Sequence, residues 1–205
     1  MKISLQNVGK RYNREWIFRN CSYEFIFGKR YAITGPNGSG KSTLLQVIAG
    51  AILHNEGDIQ YSMSNVQLPA EEHYRHISIA APYLELVEEM TAKEMLEFHS
   101  RFKPLISNVS IAEILQTVGL ENATNKQLRY FSSGMKQRLK LAQAFFSNTP
   151  VLLLDEPATN LDADGIALYH DLIRNHAKDK LVIVSSNDKQ EHDFCEEVLE
   201  IIKYK

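Results

Sequence analysis

Cysteine is scarce in this chain of 205 residues. Cys21 and Cys195 stand far apart, and neither belongs to a paired CxxC spacing. This scarcity argues against a disulfide framework and against a cysteine zinc site, so we interpret both residues as free, buried thiols. Long apolar runs are absent as well: no stretch approaches the ~20 apolar residues of a membrane span, and the first residues lack the apolar core of a signal peptide. We therefore expect a soluble, cytoplasmic protein.

An excess of charge of one sign is also absent. The 23 lysines and arginines nearly balance the 25 aspartates and glutamates, which gives a formal net charge of -2. Neutralising a nucleic-acid backbone needs a broad cationic surface, so we do not expect nucleic acid as a partner. Hydrophobic residues make up 44% of the chain, which is ordinary for a globular protein. The length predicts one domain.

Three short apolar runs predict buried strands, because strands of a parallel sheet carry apolar residues on both faces. The runs are residues 31–34, 151–154 and 181–185. We expect them side by side in a parallel sheet. Three segments with helical spacing lie between and after these runs. The helical segments are residues 42–49, 135–146 and 163–176. Such alternation of strands and helices is typical of an α/β fold.

The other segments predict two additions to this core. Residues 3–27 and 57–63 alternate and are rich in aromatic and β-branched residues, which favours an antiparallel sheet beside the main one. Residues 92–101 and 111–118 have helical spacing and are separated by Pro104. Since no linker sets this stretch apart, we expect a helical lobe inserted in one domain.

A glycine-rich segment follows the first apolar run. Residues 35–42 read Gly-Pro-Asn-Gly-Ser-Gly-Lys-Ser and fit the pattern G-x-x-x-x-G-K-[ST]. Glycines allow a tight turn whose backbone N–H groups face phosphate oxygens, and the next helix directs its positive end at the same anion. We expect Lys41 to reach the β- and γ-phosphates and Ser42 to ligate Mg²⁺. The predicted nucleotide-binding residues are Asn37, Gly38, Ser39, Gly40, Lys41, Ser42 and Thr43.

Two acids end the second apolar run. Asp155 and Glu156 directly follow residues 151–154, and ligands of open α/β sheets bind at the carboxyl ends of strands. We expect Asp155 to ligate Mg²⁺ and Glu156 to orient the water that attacks the γ-phosphate, with deprotonation of that water as a second candidate role. Taken alone, a strand that ends in two acids is more often a solvated strand end. Together with the glycine-rich segment, the pair indicates ATP hydrolysis.

A third segment, residues 131–138, reads Phe-Ser-Ser-Gly-Met-Lys-Gln-Arg. Ser132 and Ser133 can cap a helix that begins near Gly134, which creates a second helix end that attracts anions. The segment resembles the signature sequence of ATP-binding cassette (ABC) proteins, commonly Leu-Ser-Gly-Gly-Gln. This resemblance implies a head-to-tail dimer in which Ser132, Ser133 and Gly134 of one subunit close over the nucleotide of the other. A plain capped helix is the alternative for this segment alone.

Further segments are similar to the same family in the same order. Tyr12 resembles the aromatic residue that stacks on adenine, and residues 160–162 resemble the D-loop that touches the opposite subunit. The resemblance implies a single cassette domain over residues 1–205, with a P-loop NTPase (RecA-like) core and a mainly parallel sheet. Its expected additions are an antiparallel β part and an inserted helical subdomain. They lie at about residues 1–30 with 57–66, and at about residues 85–147, respectively.

One departure from the family pattern concerns the switch histidine. Residues 185–188 read Ser-Ser-Asn-Asp, so Asn187 stands where the family usually has histidine. An amide can donate a hydrogen bond to the γ-phosphate but cannot become cationic or shuttle a proton.

A second departure concerns the Q-loop, because residues 77–84 contain no glutamine. Pro82 or Tyr83 falls nearest the expected position. Losing a hydrogen bond to a charged phosphate costs about 1.5–3 kcal/mol. We therefore expect a slow ATPase that uses Lys41, Glu156 and Asn187 as catalytic residues.

The resemblance implies the nucleotide-binding subunit of an ABC transporter, with ATP and Mg²⁺ as cofactors. Its expected partners are integral-membrane transporter subunits and a second cassette, as a homodimer or a heterodimer, at the inner face of the cell membrane. Two other interpretations stay open. One is a soluble ABC ATPase; the other is an ATP-gated interaction module that hydrolyses weakly, which Asn187 and the missing glutamine favour.

Overall fold

A computed structural model describes residues 1–205. The chain divides into two compact units, which we name the sheet unit and the helical unit. The sheet unit comprises Met1–Ile79, Pro150–Asp155 and Asp179–Lys205; the helical unit comprises Ala80–Thr149 and Glu156–Lys178. None of the helices combines the length and the apolar composition that a membrane-spanning helix needs.

Nine strands and six α-helices make up the regular structure. The strands are β1 (Lys2–Tyr12), β2 (Glu15–Ile26), β3 (Arg30–Thr34), β4 (Glu56–Met63), β5 (Val66–Gln67), β6 (Ile77–Ala80), β7 (Val151–Asp155), β8 (Leu181–Ser185) and β9 (Glu197–Glu200). The helices are α1 (Lys41–Ile48), α2 (Ala92–Phe102), α3 (Ile111–Thr117), α4 (Ser133–Phe146), α5 (Ala163–His176) and α6 (Lys189–His192). Short 3-10 helices lie at Ala70–His76, Glu121–Ala123, Leu128–Tyr130 and Ile201–Tyr204.

The sheet unit contains both sheets. The antiparallel sheet has the strand order β2-β1-β4-β5, and the other sheet has the order β6-β7-β8-β3-β9. In the latter, β3 pairs in parallel with β8 and β9, and β7 pairs in parallel with β8. All residues of β7 and β8 are buried, as continuous apolar runs predict for strands covered on both faces.

One hydrophobic cluster joins helix α1 to this parallel sheet. Alternate residues of the strands belong to it, together with apolar side chains of α1. The members from α1 and from strands β3, β7 and β8 are Tyr31, Ile33, Val151, Leu153, Leu181, Ile183, Leu44, Leu45, Val47 and Ile48. Because side chains alternate between the two faces of a strand, Asp155 and Ser185 continue the same rows on the face towards α1.

The helical unit consists of α2 to α5, whose first turns are capped by side chains. Thr91 and Glu94 form a capping box at α2, and Ser110 and Glu113 form another at α3. The Asp162 carboxylate accepts a hydrogen bond from the Gly165 backbone N–H, at 2.8 Å, at the start of α5. Side-chain caps of this kind satisfy backbone donors that a helix end leaves without partners.

The predicted strands and helices are present, with bounds that shift by no more than two residues, and residues 3–27 are divided into β1 and β2. The apolar runs became adjacent strands β7, β8 and β3, as expected. Strands β6 and β9 were not predicted, because four residues are too few to show a clear period. Cys21 is buried, but Cys195 is partly exposed, so the expectation of a second buried thiol was wrong. Both cysteines are free thiols.

Candidate functional site

The glycine-rich segment connects β3 to α1 through backbone conformations that favour glycine. Gly38 has a φ of 74° and Gly40 a φ of 103°, in the left-handed region where other residues are strained. A Cβ on Gly40 would lie 2.4 Å from Cγ2 of Ile17, whereas a Cβ on Gly38 would meet nothing within 4 Å. The loop is therefore packed tightly at its helix end and open at Gly38.

The N-terminus of α1 suits an anion. Gly40 is its N-cap, no side chain caps the helix, and the first turn contains no acidic residue. The Ser39 hydroxyl is buried and has no hydrogen-bond partner. Buried hydroxyls nearly always have a hydrogen-bond partner, so the Ser39 hydroxyl is available to donate to a ligand. Uncapped backbone N–H groups and a spare hydroxyl fit a phosphate group.

Lys41 is folded onto the loop itself. Its ammonium group donates hydrogen bonds to the backbone carbonyls of Gly35, at 2.8 Å, and Pro36, at 3.4 Å. The residue is only 5% exposed. Ser42 and Thr43 follow in the first turn of α1 and are partly exposed. This places a cation and two hydroxyls at the helix end that faces the loop.

Asn187 contacts the same loop from the segment after β8. Its Oδ1 accepts a hydrogen bond from the Gly35 backbone N–H at 3.0 Å, and its Nδ2 donates to Oδ1 of Asn37 at 3.4 Å. The sequence separation is about 150 residues in both cases. The structure thus brings the residue at the switch position onto the glycine-rich loop.

Asp155 ends β7 on the α1 side of the parallel sheet. It is 2% exposed and pairs with Ser185 of the neighbouring strand. α1 packs against both strands, and its first turn carries the Ser42 hydroxyl. Carboxylate and hydroxyl oxygens are ligands that suit Mg²⁺, so the donor set at this sheet end fits that ion.

Glu156 begins the helical unit directly after Asp155 and has an unusual backbone. Its φ is 42°, in the left-handed region that non-glycine residues rarely adopt. The Glu156 carbonyl accepts a hydrogen bond from the Thr159 N–H at 3.1 Å, and the next residue is Pro157. Strained residues persist where the surrounding structure holds them, and they cluster at functional sites.

The signature segment starts α4. The Ser132 hydroxyl accepts a hydrogen bond from the Met135 backbone N–H at 3.2 Å, which makes Ser132 the N-cap. Ser133 is already the first helical residue, so the expectation that both serines cap a helix starting near Gly134 was wrong for Ser133. A Cβ on Gly134 would lie 3.0 Å from the Asn160 carbonyl oxygen, so a larger residue would crowd the D-loop.

Two residues of α4 hold the loop that follows Glu156, and sequence reasoning missed both roles. The Gln137 side chain is buried and donates to the Pro157 carbonyl at 2.8 Å. Arg138 pairs with Asp162 at 3.2 Å. These side chains join the signature helix to Pro157, which precedes the D-loop, and to Asp162, its last residue. No local sequence pattern predicts such pairings over about 20 residues.

The signature and D-loop segments border a cavity of about 300 Å³ in the helical unit. Its lining includes Ser132, Ser133, Gly134, Arg138 and Asn160. Hydrogen bonding with Gly165, the larger effect, and the Arg138 guanidinium lower the pKa of the Asp162 carboxyl. The cavity therefore combines a helix N-terminus, small residues and one charged pair.

Tyr12 ends β1 and is 50% exposed. The Lys10 ammonium group lies 4.9 Å from its ring centroid and donates to the Leu53 carbonyl at 2.7 Å. An exposed aromatic ring offers a surface on which a flat base can stack.

The segment without glutamine is tied to α4 in the helical unit. Lys140 donates hydrogen bonds to the carbonyls of Ala81, at 3.3 Å, and Pro82, at 2.9 Å. Burial and the neighbouring Lys136 lower the pKa of the Lys140 ammonium. Pro82 and Tyr83, the two residues nearest the expected glutamine position, are exposed.

Comparisons with known proteins agree with this arrangement. Residues 18–159 match the family model described as ABC transporter. The chain is 33% identical over 202 residues to the uncharacterised ABC transporter ATP-binding protein YybJ of Bacillus subtilis (strain 168), covering 97% of this chain and 92% of that protein. It is 30% identical over 181 residues to the cytochrome c biogenesis ATP-binding export protein CcmA of Agrobacterium fabrum, covering 86% of this chain and 84% of that protein.

A solved structure shows the same fold. A dimeric ATP-binding cassette in a post-hydrolysis state, bound to ADP and Pi, superposes with a TM-score of 0.82 at 26% identity, covering 98% of this chain and 95% of that chain. The likeness confirms the predicted fold class, a P-loop NTPase fold with a parallel sheet, an antiparallel sheet and a helical subdomain.

Proposed function

The chain belongs to the ABC transporter family, and from this premise we propose that it is the ATP-binding and ATP-hydrolysing subunit of such a transporter. The observation that carries the proposal is the phosphate loop. It combines an uncapped helix N-terminus, the buried cation of Lys41 and the unpartnered hydroxyl of Ser39. The triphosphate group of a nucleoside triphosphate fits this combination.

In this proposal the nucleotide contacts the sheet unit at two places. Adenine stacks on the exposed ring of Tyr12. The phosphates lie in the loop formed by Asn37, Gly38, Ser39, Gly40, Lys41, Ser42 and Thr43. Lys41 exchanges its two backbone carbonyl partners for phosphate oxygens, so its ammonium group is neutralised by the substrate rather than by the loop.

Ser42 and Asp155 would hold Mg²⁺ at the α1 side of the sheet. A bound magnesium ion neutralises phosphate charge and orients the reacting phosphate. Glu156 would orient the attacking water and accept its proton. The backbone of Glu156 is in the left-handed region, a strained conformation that is common at functional sites. This assigns a separate task to each acid of the pair.

The signature segment acts on a nucleotide bound to a second copy. Ser132, Ser133 and Gly134 present a helix N-terminus beside a cavity of about 300 Å³. An anion at that end is favoured by the helix dipole. We therefore propose a head-to-tail dimer, closed by ATP and opened by hydrolysis, that drives separate membrane subunits at the inner face of the membrane.

Turnover is proposed to be slow. Asn187 cannot carry a proton, and the segment at Pro82 offers no glutamine amide. Asn187 accepts a hydrogen bond from the Gly35 N–H and so lies at the phosphate loop, where its amide can still bind a phosphate oxygen. The same observation favours a second candidate, an ATP-gated module that binds tightly and hydrolyses very weakly.

Phosphate release from purified protein tests the hydrolytic role. We expect measurable, magnesium-dependent turnover in the wild type and a decrease of roughly 100-fold or more in Glu156→Gln, because the amide cannot accept a proton. Glu121→Gln, an exposed acid in the helical unit, is the matched control and should leave turnover unchanged. Equal rates for Glu156→Gln and wild type would remove Glu156 from this role.

A wild type that binds ATP without measurable turnover would favour the gated module instead. The transporter assignment has its own test: the chain should co-purify with an integral-membrane protein from solubilised membranes. Recovery of the chain only from the soluble fraction, or with ribosomes, would contradict it.

A further inference from the structure

Ser185 carries a buried hydroxyl for which the protein provides no partner. The residue is the last of β8 and is 0% exposed, and its Oγ has no hydrogen bond. Buried polar side chains almost always have a partner, so the exceptions call for a functional explanation. Leaving a hydroxyl unsatisfied lowers stability, and alanine would avoid that cost at nearly the same volume.

The position of Ser185 in the parallel sheet suggests what the partner is. Ser185 pairs with Asp155 of β7 on one side and with Ile33 of β3 on the other. β3 leads directly into the phosphate loop, so Ser185 stands between the acid and the loop. Residues paired in register on adjacent parallel strands direct their side chains to the same face.

That face is the one that packs against α1. Leu181 and Ile183, which alternate with the other residues of β8, belong to the cluster with the apolar side chains of α1. Ser185 is the next member of this row, just as Asp155 follows Leu153 in β7. The hydroxyl therefore lies on the same side of the sheet as Asp155 and the first turn of α1, where Ser42 is found.

The neighbouring Ser186 shows what a structural hydroxyl looks like at this turn. Its Oγ accepts a hydrogen bond from the Asp188 backbone N–H at 2.9 Å, and the residue is 1% exposed. Ser186 thus has its partner within the protein. Ser185 does not, although both residues are equally buried and adjacent in sequence.

We infer that Ser185 positions the water shell of the magnesium ion held by Asp155 and Ser42, so that its hydroxyl gains a partner only when the ion is bound. The inference rests on the proposed nucleotide function. Ser185 acts here through water and is a positioning residue. Residues in the outer shell of a metal site commonly change metal affinity by 10- to 100-fold when they are replaced.

Two measurements on Ser185→Ala test the inference, and neither depends on turnover. The first is Tm without nucleotide or magnesium, which should equal or exceed that of the wild type, because no hydrogen bond is lost. The second is ADP affinity with and without magnesium. The improvement in affinity caused by magnesium should shrink by about tenfold, while affinity in EDTA stays unchanged.

Ser186→Ala is the matched control, and the opposite results are expected for Tm and for the magnesium effect on ADP affinity. It should lower Tm, because the Asp188 N–H loses its acceptor, and it should keep the full magnesium effect on ADP affinity. Ser185→Cys keeps a side chain of similar size with a weak hydrogen-bonding group, and it should behave like Ser185→Ala.

A lower Tm for Ser185→Ala, or a failure of that variant to fold, would show that the hydroxyl is structural and would overturn the inference. An unchanged magnesium effect in both Ser185 variants would overturn it too. A wild type that binds no ADP under any condition would instead contradict the proposed nucleotide function. The two failures are therefore distinguishable in one experiment.

Discussion

Replacing Lys41 with methionine removes the cation of the phosphate loop and keeps most of its aliphatic stem. In the protein as it stands, the ammonium group is bonded to the carbonyls of Gly35 and Pro36 and is almost fully buried. Phosphate binding by Lys41 is therefore an exchange of partners. The gain in affinity is the new attraction minus the value of the two bonds that are given up.

The magnitude follows from two general values. Unit charges about 4 Å apart attract by about 4 kcal/mol at the effective dielectric constant near a protein surface. Two hydrogen bonds to backbone carbonyls contribute about 1 kcal/mol each. The difference of about 2 kcal/mol corresponds to a loss of roughly 30-fold in nucleotide affinity for Lys41→Met. This is a lower bound, because a triphosphate carries more than one charge.

Equilibrium binding of ATP at a fixed magnesium concentration, measured by calorimetry, checks this value. Lys29→Met serves as the control, since Lys29 is an exposed lysine of the sheet unit that pairs with Glu197 at 3.3 Å. It should bind ATP like the wild type. A Lys41→Met protein that unfolds normally and binds ATP within about threefold of the wild-type affinity would refute the assignment of the loop.

Two further predictions concern proton chemistry. Asn187→His should raise steady-state phosphate release by about tenfold and make it fall at acidic pH, because imidazole can shuttle a proton; a rate equal to that of Asn187→Ala would contradict this. Burial, with a smaller effect of Lys103, lowers the pKa of His99 to about 4, whereas its usual value is 6.5. Folding therefore favours the neutral ring. Its contribution to the free energy of unfolding is complete above pH 6.5 and is lost as the pH falls through 4. The loss amounts to roughly 3 kcal/mol at most. His99→Gln should flatten the fall of Tm over that interval, and an unchanged slope would be the contrary result.

The parallel sheet was predictable because its strands are buried on both faces. Leu152, Leu153 and Leu154 lie in one apolar run, and the same holds for the run that became β8. A strand of this kind needs no knowledge of its neighbours to be recognised. The glycine-rich loop was predictable because its conformation requires particular residues. Gly38 and Gly40 adopt positive φ values that other residues avoid, so the glycine pattern is visible in the sequence.

The contacts that complete the candidate site depend on residues far apart in sequence. Asn187 reaches Gly35 across 152 positions, and Arg138 reaches Asp162 across 24. Their partners are set by strand order and helix packing, which leave no trace in the local pattern. The edge strand β9 escaped prediction as well, because its four residues, Glu-Val-Leu-Glu, are too few to show a period and do not alternate between apolar and polar.

The two units differ in whether the polar side chains of their motifs have hydrogen-bond partners within the protein. In the helical unit, the Ser132 hydroxyl caps its own helix and the Gln137 amide donates to the Pro157 carbonyl, so both side chains have partners within the protein. In the sheet unit, Ser39 and Ser185 are buried at one end of the parallel sheet and lack partners. A chain selected only for stability would have replaced such hydroxyls, because each one costs free energy when it is unsatisfied. Their presence fits the ligand-binding site proposed for the sheet unit, where a bound ligand would supply the missing partners.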